Sequence, residues 1–164
     1  MQSIIDQFEL IPHPEGGFYK EVYRSKGIIP KNSIPEKFNG DRNYCTSIYF
    51  LLTSENFSAF HRIKQDEIWN FYEGSPLFVH VIDQNGTYHK HELGSDYSKG
   101  QVRQLVVPAN LWFASSVKNE DGYSFVGCTV APGFDFEDFE MAARDKLISD
   151  FPEIEKEIRS LTRV

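Results

Sequence analysis

Short runs in which apolar and polar residues alternate fill most of the chain. The runs span residues 18–25, 44–53, 57–63, 67–73, 77–83, 87–93, 102–108, 112–117 and 123–132. Turn-forming sequences separate them, including "EGSP" at 73–76 and "NG" at 85–86. Strands at this spacing, with no helical pattern between them, predict an all-β sandwich or barrel.

The two ends of the chain carry helical patterns instead. Residues 3–9 predict a short helix with Ser3 as its N-cap. Near the C terminus one helical face contains four residues: Phe139, Ala142, Ala143 and Leu147. Pro152 opens a further helix, and its apolar stripe consists of Ile154, Ile158 and Leu161. We expect these C-terminal helices, at about 136–162, to pack on the outside of a barrel core at about 18–132.

One domain accounts for the length of the chain. A chain of 164 residues suits a single domain and buries roughly two thirds of the surface that it exposes when unfolded. No repeat or low-complexity segment interrupts it, so we predict one domain over residues 1–164. Residues 26–42, rich in Pro, Gly and Asn, predict a long loop that serves as a lid or an interface arm.

Charge and composition exclude several classes of function. The net charge of -7 argues against nucleic acid as a partner. No basic region followed by an apolar run opens the chain, and no stretch is long and apolar enough for a membrane, so we expect a cytoplasmic protein. Cys45 and Cys128 match no zinc spacing and are interpreted as free thiols, although a disulfide between them stays open.

Residues 57–74, "FSAFHRIKQDEIWNFYEG", contain the candidate chemistry. Residues of equal parity share one face of a strand, so His61 and Glu67 point to the same side if the turn between them is tight. Trp69 and Phe71 share that side. An imidazole and a carboxylate among aromatic rings are costly unless they pair or bind a ligand. With 14 Phe, 8 Tyr and 2 Trp, the chain has the aromatic residues to wall such a pocket.

The same stretch resembles the first motif of the cupins. That motif is His-x-His, three or four residues, Glu, six residues, Gly. His61, Glu67 and Gly74 fit the spacing, while Ile63 stands in place of the second His.

The second cupin motif, Pro-x-Gly, two residues, His, is matched in part by "VPANLWFA". Pro108 is present, but Asn110 replaces the Gly and Phe113 replaces the His. With "HPEGGFYKEVYRS" at 13–25, the chain resembles, over roughly residues 8–145, a branch of cupins of unassigned function related in fold to deoxysugar 3,5-epimerases. The resemblance implies a double-stranded β-helix, or jelly-roll barrel, and a homodimer paired through N-terminal strands.

A metal cofactor is not expected. Catalytic zinc or iron sites normally take three protein ligands, and the apolar Ile63 and Phe113 leave only His61 and Glu67. The remaining histidines are interpreted without ligand roles: His80 as satisfied within its strand, His89 and His91 as solvated, and His13 as an anchor of its loop. A metal enzyme with a reduced ligand set stays an alternative.

The leading hypothesis is a barrel that binds, and as an enzyme isomerises, a small polar metabolite. Cupin-fold epimerases use a His base and a Tyr acid without a metal, so the resemblance implies His61 as base and a sugar or nucleotide-sugar as ligand. Glu67 would orient His61 or contact the ligand. The proposed ligand-binding residues are Trp69, Phe71, Phe113, Arg24 and Tyr49. The alternative is a ligand-binding or structural cupin without catalysis.

Overall fold

Thirteen strands and three short helices form the structure, a computed structural model that describes residues 2–163. The helices are α1 Gln2–Phe8, α2 Arg144–Asp150 and α3 Glu155–Ser160. The strands are β1 Ile11–Pro12, β2 Phe18–Arg24, β3 Ile28–Ile29, β4 Arg42–Asn43, β5 Thr46–Thr53, β6 Phe57–Ile63, β7 Asp66–Gly74, β8 Leu77–Ile82, β9 Tyr88–Leu93, β10 Gln104–Val107, β11 Trp112–Val117, β12 Tyr123–Ala131 and β13 Phe139–Met141. Short 3-10 turns span Lys31–Ser33, Tyr97–Lys99, Phe136–Asp138 and Pro152–Ile154.

Two antiparallel sheets face each other. The first has the strand order β1-β2-β5-β12-β7-β10 and the second β13-β6-β11-β8-β9. Neighbours within each sheet are mostly distant in sequence, as in a jelly roll, where strands alternate between two sheets. The predicted all-β class with short terminal helices is therefore confirmed.

The main core lies between the sheets and follows the period of two along each strand. In β7 the residues Trp69 and Phe71 are buried at 1% and 7% exposure, whereas Ile68 and Tyr72 face outward. Phe113 from the opposite sheet belongs to the same apolar cluster. The chain closes this space with large rings rather than with a disulfide, because both cysteines are free thiols.

The C-terminal helices cover the outer face of the second sheet. Leu147, Ile154, Ile158 and Leu161 join one apolar cluster with residues of β6, β8 and β11. The predicted position of these helices outside the barrel is confirmed. Along the described chain, no helix has the length and apolarity needed to cross a membrane.

Three of the four positions on the predicted helical face at 139–147 are wrong. Phe139 lies on β13, and Ala142 and Ala143 precede α2, which begins only at Arg144. The reason is the open edge of β6, because residues 139–141 pair with residues 61–63 and satisfy that edge. Tertiary pairing overrides the helical period there.

The segment 26–42 is anchored to the barrel at its C-terminal end. Arg42 donates from Nε and Nη2 to both carboxylate oxygens of Asp138, each at 2.7 Å. Both side chains are buried, and Phe38 nearby is 1% exposed. This pair ties the segment to the loop that carries Phe134–Phe139, and that loop borders the cavity described next. Its role as a lid or interface arm stays a prediction.

Candidate active site

A cavity of about 320 Å³ opens at one end of the barrel. Strands β2, β5, β6, β7 and β12, the loop at 13–15 and the loop at 134–139 supply its walls. The lining residues are His13, Glu15, Tyr19, Glu21, Arg24, Thr46, Ile48, Phe50, His61, Ile63, Glu67, Cys128, Val130, Phe134, Asp135, Phe136 and Phe139. His61 and Glu67 therefore open into one partly aromatic hollow.

A glycine pair brings Glu15 into this cavity. Gly16 and Gly17 have φ angles of +116° and +74°, which glycine adopts at little cost. A Cβ atom on Gly16 would lie 2.1 Å from the carbonyl oxygen of Phe57, so the close approach to β6 needs a residue without a side chain. The Ala59 amide then donates to the Glu15 carbonyl at 2.9 Å. The turn fixes Glu15 against the strand that carries His61.

The Glu15 carboxyl is surrounded by polar side chains. Ser58 Oγ donates to its Oε1 at 2.8 Å. Its Oε2 lies 3.1 Å from His61 Nε2 and 3.4 Å from His13 Nδ1. Glu15 itself is 6% exposed. Glu15, and not Glu67, is thus the carboxyl that contacts His61.

The hydrogen bonds of His61 fix the positions of its protons. Its Nδ1 lies 2.7 Å from the Ala59 carbonyl oxygen, which only accepts, so Nδ1 carries a proton. Burial lowers the pKa of His61 to about 4, which keeps the ring neutral and leaves a lone pair on Nε2. Burial also raises the pKa of Glu15, against the opposing effects of His13, Ser58 and Arg163. We therefore assign the proton of the short contact to Glu15, which donates it to Nε2.

Glu67 lies in the same cavity as a second buried acid. Burial, with a smaller contribution from the neighbouring Glu15 carboxyl, raises its pKa to about 8. Burial, together with the neighbouring Glu67 carboxyl, raises the pKa of the Cys128 thiol well above its usual value. The Glu67 carboxyl and the Cys128 thiol are therefore neutral at neutral pH, and the Glu67 carboxyl ionises only as the pH approaches 8.

Arg24 lies in the lining but is already paired. Its Nε and Nη2 donate to the two carboxylate oxygens of Glu21 at 2.8 and 2.7 Å. It also donates to Asn43 Oδ1 and to the Phe134 carbonyl. The guanidinium therefore connects β2 to the loop at the mouth.

The other predicted ligand-binding residues lie outside the cavity lining. Trp69, Phe71 and Phe113 fill the core beyond it, although the Phe113 ring lies 4.1 Å from the His61 ring, centroid to centroid. Tyr49 packs against Phe8 beneath α1. The alternation along β7 correctly predicted that Trp69 and Phe71 face the barrel interior. They lie further along the strand than Glu67, however, in the part of the interior that side chains fill.

Other aromatic residues wall the cavity instead. They are Tyr19, Phe50, Phe134, Phe136 and Phe139. The sequence analysis did not select these rings. It also did not select His13 and Glu15 as site residues, because strand parity says nothing about loop residues. The available signal was the "HPEGG" passage, in which a Glu-Gly-Gly turn precedes a strand.

Two of the four cupin ligand positions, residues 63 and 113, are apolar in this chain. Within residues 2–163 no three His, Cys, Asp or Glu side chains are grouped so as to hold a metal ion. Ile63 and Phe113 supply no donor atom, and both nitrogens of His61 already contact oxygen atoms. Elsewhere His80 bonds Tyr88 and Ser116.

Comparisons with known proteins place the chain in a family. The family model described as "Cupin superfamily (DUF985)" matches residues 2–142. The uncharacterized protein YML079W of Saccharomyces cerevisiae is 33% identical over 147 residues, which is 84% of this chain and 73% of that protein.

Solved structures agree with that family. Protein SO0799 from Shewanella oneidensis is 36% identical with a TM-score of 0.89, covering 99% of this chain and 96% of that one. A hypothetical protein from Leishmania major is 34% identical with the same TM-score, covering 99% of this chain and 98% of that one. Oxalate decarboxylase from Bacillus subtilis, at 14% identity and a TM-score of 0.55 over 92% of this chain and 36% of that one, shares the fold alone. The chain therefore belongs to the cupin superfamily, in the family DUF985.

Proposed function

We propose that this cupin binds a small polar metabolite in the cavity and isomerises it by proton transfer, without a metal. The observation that supports this proposal is the 3.1 Å contact between His61 Nε2 and Glu15 Oε2 in the cavity wall. The pair combines a proton donor with a basic lone pair, and an isomerase that acts next to a carbonyl needs one of each.

The reaction follows from the assigned protons. Glu15 gives its proton to the carbonyl oxygen of the ligand, and Nε2 of His61 takes a proton from the neighbouring carbon. The ligand becomes an enediol, while the pair becomes a carboxylate beside an imidazolium. Burial disfavours these charges, so Nε2 gives its proton to the former carbonyl carbon while the Glu15 carboxylate takes the proton of the neighbouring hydroxyl, which becomes the new carbonyl. The isomer forms and the pair returns to its neutral state. His61 keeps the role of base, and Glu15 takes the role of acid that the epimerase resemblance gives to a tyrosine.

Hydrogen–deuterium exchange on candidate keto-sugars, followed by NMR, tests this proposal. We expect exchange at the carbon next to the carbonyl, and a fall of at least about 100-fold in His61→Ala. Glu15→Gln keeps a hydrogen-bond donor against Nε2 but cannot transfer its proton, so it should bind the ligand and lose exchange. His89→Ala, an exposed histidine bonded to Asp83, is the matched control. Exchange that persists in His61→Ala would remove His61 from the role of base.

Ligand binding without chemistry is the second candidate. His61 is only 2% exposed and its Nε2 is occupied by Glu15, an arrangement that a purely structural pair would also show. Saturable binding of a metabolite without exchange at any carbon would favour this function.

The proposed assembly rests on the family resemblance, and the proposed location is the one expected from the sequence. We propose a cytoplasmic homodimer paired through N-terminal strands. Light scattering of the purified protein at micromolar concentration should give twice the mass of 19.0 kDa.

A further inference from the structure

Acidic side chains outnumber lysines and arginines in the lining of the cavity. Glu15, Glu21, Glu67 and Asp135 line it, and Arg24 is the one lysine or arginine of residues 2–163 in the lining. Hydrogen bonds with Glu21, and less strongly the charge of Asp135, raise the pKa of Arg24. A phosphate or carboxylate ligand would thus meet carboxyl groups and a cation that is already paired.

Among residues 2–163, Glu67 is the buried acid that lacks a basic partner. It is 8% exposed, and its interacting neighbours are the Cys128 thiol and the Glu15 carboxyl. Within the described chain no ion pair includes Glu67, whereas Glu15 contacts both His13 and His61. A thiol is a weak hydrogen-bonding group. A carboxyl in this position stays neutral until a cation approaches it.

Aromatic rings line the same cavity as this acid. The centroids of Phe134 and Phe136 lie 5.0 Å apart, and that of Phe139 lies 6.1 Å from Phe136. Phe136 is half exposed at the opening, although large apolar side chains are usually covered. Ring faces attract cations as well as apolar groups.

We propose that the ligand of this cavity carries a protonated amine, which binds against Glu67 while its apolar face packs on the rings at the mouth. On binding, Glu67 loses its proton to solvent and forms an ion pair with the ammonium group. The inference deepens the proposed function and rests on it: the substrate would be an amine-bearing carbonyl compound. The acidic lining argues against the nucleotide-sugar expected from the sequence, because that ligand carries phosphates.

Three small molecules that share one ring and differ in charge test this inference. Cyclohexylamine, cyclohexanol and cyclohexanecarboxylate are titrated at millimolar concentration into the labelled full chain, and binding is followed by amide chemical shifts. The pH is set just above 8, where Glu67 is half ionised or more. We expect the amine to bind about tenfold more tightly than the alcohol, and the carboxylate more weakly than either.

Two variants test whether Glu67 is responsible for the preference for the amine. Glu67→Gln should remove most of the tenfold advantage of the amine while the alcohol binds as before. Glu73→Gln changes an exposed carboxylate at the far end of the same strand and should leave all three affinities unchanged.

Several outcomes would overturn the inference. A carboxylate that binds as tightly as the amine, an amine advantage that survives in Glu67→Gln, or no binding of any of the three molecules would each do so. Deuterium exchange on keto-sugars that depends on His61 would still support the proposed isomerase in any of these cases. The two proposals therefore fail separately.

Discussion

The two ends of the barrel interior differ although the same strands build both. At one end Trp69, Phe71 and Phe113 fill the space between the sheets completely. At the other end Glu67, two residues before Trp69 on the same face of β7, borders a cavity of about 320 Å³. His61 and Phe113 are directly paired across β6 and β11 and mark the boundary. An inward-facing position is therefore not enough to make a ligand site, because the depth along the strand decides between packing and binding.

The two ends also differ in whether their buried polar groups have hydrogen-bond partners. In the packed end the indole nitrogen of Trp69 has no hydrogen-bond partner among the described residues. In the open end the imidazole and carboxyl of His61 and Glu15 each have oxygen or nitrogen partners at 2.7 to 3.4 Å. The packed end derives its stability from apolar contact, whereas the open end keeps buried acids whose pKa values are raised.

The largest expected effect lies at the packed end. Trp69→Ala removes a ring that is 1% exposed and leaves a void, so the free energy of unfolding should fall by about 3–5 kcal/mol. Urea denaturation of the variant measures this loss. Trp69→Phe, which keeps most of the volume, is the control and should lose clearly less. Equal losses in the two variants would contradict a packing role for this ring.

The Arg42–Asp138 pair, at the rim of the open end, should also contribute strongly to stability. Asp138→Ala leaves Arg42 buried without its carboxylate, and the free energy of unfolding should fall by about 3 kcal/mol. The Asp138 pKa is lowered in the folded protein: burial opposes ionisation, but the hydrogen bonds from Arg42 and Gln65 outweigh it. That stability should consequently be lost as the pH falls below the usual pKa of an aspartate. A variant as stable as the wild type would show that the rim is not anchored by this pair.

A stabilising change is expected inside the cavity. The pKa of Glu67 is about 8 in the folded protein against 4.5 for a free carboxyl, so the native state binds the extra proton over that interval. Its contribution to stability is therefore lost as the pH rises from 4.5 through 8. Glu67→Gln removes that loss and should be more stable than the wild type near pH 8 by up to about 4 kcal/mol.

Denaturation curves of wild type and Glu67→Gln across this pH range measure the difference. The gap between them should shrink towards pH 4.5, where Glu67 is protonated in both states. The pKa of His61 is lowered, so its own effect is confined to pH values below about 6.5 and does not disturb the comparison above that. A variant that is less stable than the wild type at pH 8 would mean that Glu67 is ionised and paired.

The smallest effect is expected at the exposed mouth. Arg24 and Glu21 are each nearly two-fifths exposed, and exposed ion pairs contribute little. Arg24→Gln should change the free energy of unfolding by less than about 1 kcal/mol. A loss as large as that of Asp138→Ala would place Arg24 among the structural anchors of the barrel.

The alternating pattern was enough to predict the fold, but only part of the site. Period-two runs and turn sequences located the barrel strands, and the stripe of Ile154, Ile158 and Leu161 located the outer helices. Parity brought His61 and Glu67 to one cavity. It could not show that Glu15 enters from a loop, because that position depends on the Gly16-Gly17 turn and its close contact with β6.

The sequence also did not show how far along a strand the cavity ends and the packed core begins. Nothing local distinguishes Glu67 at the cavity from Trp69 in the core, since both face inward on β7. Three of the five rings that wall the cavity come from residues 134–139, for which a helical pattern suggested a different structure. Its conformation is set by the edge of β6 and by the Arg42–Asp138 pair, which are contacts distant in sequence.

Nitrogen NMR of the His61 side chain tests the central claim most directly, because the claim is that a neutral imidazole faces a protonated Glu15 in the cavity. We predict the Nδ1-protonated neutral tautomer at neutral pH, with no imidazolium until the pH falls towards about 4. His89→Ala and His61→Ala spectra assign the signals. An imidazolium at neutral pH, or a proton on Nε2 with Nδ1 bare, would contradict the assigned pair and the proton transfer built on it.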